Sequence, residues 1–184
     1  MKKIKIFVDM DGVLAEYKKD CTAEDMAKKG YFRNLSPQDN MLSALEMLTE
    51  NCDSLGVRVC VLTKVYPKEF KYSVREKLEW RDEYMPYLFD SEFVMVNGDE
   101  QEKSDAVTDV TGKRIDGDCI LIDDYNENLR QWSADGGVSV KFVNEINDKN
   151  KSFVGSRISC NMTAEEIYSA ILALLGLKNV PKAA

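Results

Sequence analysis

The chain has 184 residues, 44% of them hydrophobic, and carries a formal net charge of −7. This length suits one domain with a substantial core, and the negative charge argues against a nucleic acid polymer as the partner. The sequence contains no histidine, which excludes Ser-His-Asp and Cys-His catalysis and histidine-ligated metals within this chain. Acid-base chemistry must therefore come from carboxylates, lysines or a metal-bound water.

The apolar segments are too short and too interrupted to cross a membrane, the longest running from Ile167 to Leu177. The first residues lead directly into a strand pattern, without the apolar run of a signal peptide. Five scattered cysteines without a Cys-x-x-Cys pair are typical of reduced thiols. We therefore expect a cytoplasmic protein without a membrane partner, and a homodimer is compatible with these observations.

Short runs rich in Val, Ile and Phe alternate with longer helical patterns along the chain. This alternation predicts repeated βα units and hence an α/β fold with a Rossmann-like, three-layer parallel sheet. The predicted strands are Ile4–Val8, Val57–Leu62, Phe93–Val96, Cys119–Ile122 and Val138–Phe142. The predicted helices are Met41–Thr49, Tyr72–Tyr84, Asn126–Ala134 and one that begins at Thr163 with a capping-box pattern. We interpret Asn126 and Asn128 as helix-capping residues.

More sequence separates the first two predicted strands than one crossover helix requires. We assign residues 1–15 and 57–184 to the α/β core, and residues 16–56 to a small helical cap plus the helix that returns to the core. The first half of this insertion mixes lysines with aromatic residues, which suits a cap that closes over the carboxyl ends of the strands. A plain surface excursion is the alternative, because aromatic residues are also ordinary packing residues.

Two pairs of acids follow two of the predicted strands. Asp9 and Asp11 come at the end of the first strand, and Asp123 and Asp124 follow the apolar run Cys119–Ile122. Holding two acids at the tip of a buried strand costs electrostatic free energy unless a cation or a proton compensates. Because the carboxyl ends of parallel strands meet at one edge, the acids predict an oxygen-rich site suited to Mg²⁺.

Thr63 and Lys103 are predicted to lie at the same edge of the sheet, and both side chains can bind phosphate. A threonine hydroxyl can donate to a phosphate oxygen, and a lysine ammonium can hold the same group as a point charge. Asp9 can then attack phosphorus, while Asp11 can protonate the leaving alkoxide and later deprotonate the attacking water. The constellation therefore predicts phosphoryl-transfer chemistry.

These residues also carry a resemblance to known families. The chain resembles the haloacid dehalogenase superfamily of phosphatases, whose motifs I to IV occur in the same order. The matching residues are Asp9-Met-Asp-Gly-Val-Leu-Ala15, Thr63, Lys103 and Leu121-Ile-Asp-Asp124. Within that superfamily, the 5′(3′)-deoxyribonucleotidases of the cytosolic type C family resemble the chain at Gly30-Tyr-Phe-Arg-Asn-Leu35, Pro37 and Glu76-Lys-Leu-Glu-Trp80. The resemblance implies a haloacid dehalogenase-like core with a small helical cap after the first strand. It also implies Mg²⁺-dependent hydrolysis of (deoxy)nucleoside monophosphates to nucleoside and phosphate, through an aspartyl-phosphate intermediate.

The resemblance implies roles for individual residues as well. Asp9 is the implied nucleophile and Asp11 the implied general acid/base. Mg²⁺ would be held by Asp9, the main-chain carbonyl of Asp11 and one of Asp123 and Asp124, and the sequence leaves open which one. The implied phosphate-binding residues are Thr63, Lys64, Lys103 and Lys77. The implied residues around the substrate's nucleobase are Tyr17, Tyr31 and Phe32.

Three alternatives to a nucleotidase stay open. The same chemistry on another small phosphorylated metabolite, such as a sugar phosphate, requires only a different cap. A phospho-accepting signalling domain also combines an acidic cluster, a Thr or Ser and a Lys on a parallel sheet, but such domains place the phosphorylated Asp in mid-chain. The third alternative, a catalytically silent binding protein, is disfavoured because none of the four motifs is broken.

Overall fold

The computed structural model describes residues 3–147 and 152–176. In this part of the chain, six strands form one sheet: β1 (Ile4–Val8), β2 (Val57–Val65), β3 (Phe93–Asn97), β4 (Cys119–Asp123), β5 (Val138–Val143) and β6 (Ser156–Ser159). Their spatial order is β3-β2-β1-β4-β5-β6, and every neighbouring pair is parallel. The predicted α/β fold with a parallel sheet is confirmed.

Helices connect and cover these strands. The helices in the described ranges are α1 (Ala23–Met26), α2 (Asp39–Glu50), α3 (Cys52–Leu55), α4 (Ser73–Tyr84), α5 (Lys103–Thr111), α6 (Asn126–Ala134) and α7 (Ala164–Leu174), with a 3₁₀ turn at Asp90–Glu92. No helix in these ranges has the length and apolar character needed to span a membrane.

The core is divided between the two faces of the sheet. Alternate residues of a strand point to opposite faces, so Ile6 and Val8 pack with residues of α2 and α7, which also contact each other. Phe7 lies on the other face and packs with residues of α5 and α6. The sheet therefore lies between two helical layers, as the three-layer prediction requires.

Strand β6 and helix α5 are among the elements in the described ranges that the sequence did not predict. Strand β6 has the sequence Ser-Arg-Ile-Ser, and Ile158 is its one buried residue, because an edge strand contacts a single neighbour. Helix α5 buries Ala106 and Val107 but also Lys103 and Ser104, so its apolar periodicity is weak. Strand β2 also continues past its predicted end at Leu62, because its last residues pair with β3.

The insertion after β1 begins and ends at adjacent points of the fold. The Glu16 backbone N–H donates to Ser36 O over 2.8 Å, and the Gln38 N–H donates to Leu14 O over 2.8 Å. Residues 17–35, which include the short helix α1, thus leave and return through one small ladder, and we call them the cap segment. The following helix α2 packs on the core, which corresponds to the return helix of the predicted insertion.

Trp80 anchors the end of the cap segment to α4. Its side chain is fully buried, and its indole N–H donates to Leu35 O over 2.9 Å. We expect Trp80→Ala to lower the free energy of unfolding by about 3–5 kcal/mol, because it removes a large buried side chain and leaves a cavity. Urea denaturation measures this loss. Trp80→Phe retains most of the apolar volume and should lose clearly less, and equal losses for both variants would contradict the packing explanation.

Candidate active site

Three carboxylates meet at the carboxyl ends of β1 and β4. The two strands are neighbours, with Val8 beside Ile122, so the next residues, Asp9 and Asp123, come together. One carboxylate oxygen from each of Asp9, Asp123 and Asp124 lies within 4.8 Å of the others. Asp9 and Asp123 are buried and Asp124 is half-buried. Three of the four acids in the two predicted pairs therefore converge, and the Asp11 carboxylate is not part of this group.

Lys103 is the cation between two of these acids. It is the first residue of α5, is buried, and its Nζ lies 2.8 Å from Asp9 Oδ1 and 2.7 Å from Asp123 Oδ2. Burial alone lowers the pKa of Lys103, but Asp123 and Asp9 outweigh burial and raise it. Burial raises the pKa of the Asp9 carboxyl well above its ordinary value, although Lys103 opposes the rise. One ammonium thus compensates the clustered negative charge only partly.

The hydrogen-bonding capacity of Asp123 is largely filled. Besides Lys103, its carboxylate accepts the Tyr125 backbone N–H over 2.7 Å and the Asn128 side-chain amide over 2.9 Å. The interpretation of Asn128 as a helix cap is wrong, because its amide reaches the acid that precedes the helix. Asn126 is also no cap, since its amide donates to Ser152 Oγ over 2.9 Å.

Asp124 is held from a different direction. The Asn144 side-chain amide donates to both Asp124 Oδ2 and Gly12 O, each over 2.9 Å. Gly12 has φ +78°, and a Cβ there would lie 2.3 Å from Asp124 Oδ2, so the turn after β1 and this acid touch. Burial raises the pKa of Asp124 to about 6, with Asp123 adding to the rise. Asn144 therefore links the loop after β5 to both acidic segments.

Lys77 organises a second group of polar atoms beside the acids. This fully buried lysine of α4 donates to Thr63 Oγ1 over 2.8 Å, to Lys64 O over 2.8 Å and to Asp11 Oδ2. Asp11 Oδ1, in contrast, is buried without a hydrogen-bond partner among the described residues. Asp11 is thus oriented through one oxygen while the other remains available to a ligand.

A cavity of about 170 Å³ continues from these acids between aromatic side chains. We call it the aromatic chamber; its wall includes Asp9, Asp11, Lys77, Tyr17, Phe32 and Phe70. Lys77 Nζ lies 5.3 Å from the centre of the Phe32 ring, which lies 6.1 Å from the centre of Phe70. Burial raises the pKa of Tyr17 to about 12, so this phenol is neutral at physiological pH. The chamber is therefore lined by both charged and aromatic side chains.

Glu76 fixes the part of the cap segment that forms this wall. Its buried carboxylate accepts the Gly30 backbone N–H over 2.5 Å and the Phe32 N–H over 3.1 Å. Charge-assisted bonds to two backbone groups are strong restraints. Because Lys77 follows Glu76 on α4, adjacent residues of one helix orient the acids and the cap segment.

Two of the predicted site residues are placed differently from the others. Tyr31 is not part of the chamber wall: its ring packs edge-on against Phe32, 4.9 Å between centroids, and it borders a separate surface groove beside Lys18. Lys64 borders the chamber, but its Nζ forms an ion pair with Glu102 at 2.7 Å. The roles of both residues in binding stay predictions.

Several residues of the site were not assigned from the sequence. Asn128 and Asn144 hold acids, and Glu76 holds the cap segment. Glu76 stands in the quoted Glu-Lys-x-x-Trp pattern, which was the signal available for it. Asn144 lies in a loop, and no local pattern indicates that it reaches Gly12 across the fold.

Comparison with known families bears on this arrangement. Residues 24–157 match the model of the family described as 5′ nucleotidase, deoxy (pyrimidine), cytosolic type C protein. The chain belongs to this family. The match includes Thr63, Lys77, Lys103 and the second acidic pair, and β1 with Asp9 and Asp11 precedes it. This cytosolic type C family membership argues against the signalling-domain alternative, and the predicted resemblance is confirmed.

One solved structure agrees with this chain at the level of the fold. The D,D-heptose 1,7-bisphosphate phosphatase from B. bronchiseptica, complexed with magnesium and phosphate, has a TM-score of 0.58 and 14% identity, covering 92% of this chain and 98% of that one. An uncharacterized protein from Corynebacterium glutamicum has 20% identity and a TM-score of 0.44, covering 96% and 98%. No curated protein matches the sequence. The match to the heptose bisphosphate phosphatase shows that this chain has a haloacid dehalogenase-like fold.

Proposed function

We propose that the chain is a Mg²⁺-dependent phosphomonoesterase that hydrolyses deoxynucleoside monophosphates. The observation that carries the proposal is the placement of Asp9, Asp11 and Lys77 on the wall of one chamber that is also lined by aromatic side chains. A nucleophile, an acid/base and a cation thus face the same space as rings that suit a flat nucleobase. The family description adds support for a deoxynucleotide substrate and for a cytosolic location.

The carboxylates suit a magnesium ion. They offer hard oxygen atoms within 4.8 Å of one another. Burial, with a smaller contribution from neighbouring acids, raises the pKa values of Asp9 and Asp124, so a bound cation would favour their ionised forms. Asp123 already accepts three hydrogen bonds. We therefore propose Asp9 and Asp124 as the carboxylate ligands of the magnesium ion, together with the Asp11 main-chain carbonyl that the family resemblance implies. Bound Mg²⁺ would neutralise these acids and the phosphate oxygens.

In the proposed reaction, Asp9 attacks phosphorus and the bond to the nucleoside oxygen breaks. Lys103 favours the ionised form of Asp9, which is the nucleophilic form. Asp11 delivers a proton to the leaving oxygen and then removes one from the water that hydrolyses the aspartyl phosphate. The Thr63 hydroxyl and the ammonium groups of Lys77 and Lys103 would bind phosphate oxygens.

A phosphate-release assay tests the proposal. Deoxynucleoside monophosphates should be hydrolysed with a higher kcat/KM than sugar phosphates such as ribose 5-phosphate, in the presence of Mg²⁺. Treatment with a chelator should abolish the activity, and Mg²⁺ should restore it. Equal or faster turnover of the sugar phosphates would reject the nucleotidase assignment while retaining the phosphatase chemistry.

Asn144 should affect metal binding without touching the substrate. We expect Asn144→Ala to weaken Mg²⁺ binding about tenfold, because groups that orient metal ligands typically contribute 10–100-fold to affinity. Calorimetric titration of the substrate-free protein with Mg²⁺ measures the change. Asn40→Ala, at an exposed position of α2, is the control. Parent-like affinity in Asn144→Ala would show that Asp124 needs no such support.

A further inference from the structure

Ser73 carries an unused hydrogen-bonding group on the wall of the aromatic chamber. It is the first residue of α4, is 1% exposed, and lines the chamber together with Phe32 and Phe70. Its Oγ has no hydrogen-bond partner among the described residues. Apart from Asp11 Oδ1, no other unpartnered buried polar atom in the described ranges belongs to a residue of this wall.

A buried hydroxyl without a partner is unusual, because it has lost its bonds to water and gained none in return. A serine at a helix start commonly binds a backbone group of the same turn. Ser73 does not do so: its backbone N–H donates to Phe70 O over 2.9 Å, and the hydroxyl stays unpaired. The residues around Ser73 therefore leave this oxygen without a hydrogen bond, and Ser73 itself lines a cavity beside the acids.

The position of Ser73 indicates which part of a ligand it meets. Residues four apart on a helix are neighbours on one face, so Ser73 lies one turn before Lys77. Lys77 reaches Asp11 and Thr63, where the phosphate is expected. Ser73 lies one turn from that cation and lines the same cavity as Phe32 and Phe70. A group that reaches Ser73 thus belongs to the organic half of the substrate.

We propose that Ser73 is a specificity-determining residue whose hydroxyl hydrogen-bonds the polar edge of the ring held in the aromatic chamber. The nature of that ring, a nucleobase, rests on the proposed function. Stacking on aromatic walls accepts any flat ring, whereas a buried hydroxyl discriminates, because a ligand without a matching polar atom leaves it unpaired. Ser73 would therefore distinguish a heterocycle from a plain phenyl ring.

The test compares Ser73→Ala with the parent on thymidine 5′-monophosphate and phenyl phosphate, which has a flat ring without a polar edge. We expect the ratio of kcat/KM for thymidine 5′-monophosphate to kcat/KM for phenyl phosphate to be about tenfold lower in Ser73→Ala than in the parent. The ligand-free variant should unfold at the parent's temperature or above it, because the substitution removes an unpaired buried hydroxyl. Ser43→Ala, exposed on α2, is the control and should change neither quantity.

An unchanged ratio would overturn the inference. A clearly lowered unfolding temperature of ligand-free Ser73→Ala would also overturn it, because it would reveal an internal partner for the hydroxyl. The proposed function fails separately, when the parent prefers ribose 5-phosphate to the nucleotide. In that case, the effect of Ser73→Ala on the ratio of kcat/KM for ribose 5-phosphate to kcat/KM for phenyl phosphate decides whether Ser73 recognises the substrate. A parent protein that is inactive on all three compounds rejects both proposals.

Discussion

Asp9→Asn is expected to lower kcat for a deoxynucleoside monophosphate by about a thousandfold or more. The amide cannot form the aspartyl phosphate, so the proposed covalent route is lost, as for other nucleophile replacements. The substitution retains the shape of the residue and removes a buried charge with a raised pKa, so the fold should persist. Phosphate release under saturating substrate, with circular dichroism as a check on folding, measures the effect.

The matched control is Asp109→Asn, which removes an exposed carboxylate from α5 and should leave kcat unchanged. Activity of Asp9→Asn above a few per cent of the parent would remove Asp9 from the nucleophile role. Trapping offers an independent measure: parent enzyme quenched in acid during turnover should carry one phosphate on the peptide that contains Asp9. The Asp9→Asn variant should carry none.

The second large effect is expected on stability. Lys103→Met should lower the free energy of unfolding of the metal-free protein by about 3–5 kcal/mol, the usual cost of breaking a buried ion pair from one side. The methionine retains the length of the side chain but leaves Asp9 and Asp123 without their shared cation. Urea denaturation at pH 7 in the presence of a chelator measures the loss.

Lys113→Met, at an exposed position, controls for the general effect of a new methionine. Adding Asp123→Asn to Lys103→Met should recover part of the lost stability, because it removes one of the two uncompensated charges. A loss below about 1 kcal/mol for Lys103→Met would mean that the acids take up protons easily and that Lys103 contributes little to the metal-free fold.

The positions of the catalytic candidates were predictable because they depend on the sheet. Asp9 follows β1, Asp123 ends β4 and Thr63 lies two residues before the end of β2, and neighbouring parallel strands bring such residues to one edge. Five of the six strands were predictable because each carries apolar residues at successive or alternate positions, as β4 (Cys119–Asp123) and β5 (Val138–Val143) respectively do. Strand β6 was not, because an edge strand buries a single residue.

Contacts between side chains and distant backbone were less predictable. Asn144 reaches Gly12 across 132 positions of sequence, and nothing near either residue indicates the meeting. Tyr31 and Phe32 are adjacent and both aromatic, so sequence reasoning treated them alike. Glu76 binds the Phe32 backbone and orients that ring to the chamber, while Tyr31 points to the other groove. This difference depends on a carboxylate more than forty residues away.

The ladder at the base of the cap segment has a consequence for how this region can be altered. Its ends meet at Leu14 to Glu16 and Ser36 to Gln38, so in backbone terms the segment is a detachable loop that a short turn could replace. Energetically it is not detachable, since its removal would strip Glu76 and Trp80 of the groups they bind. Any exchange of this loop for another must therefore change α4 as well, so the two segments have to be replaced together.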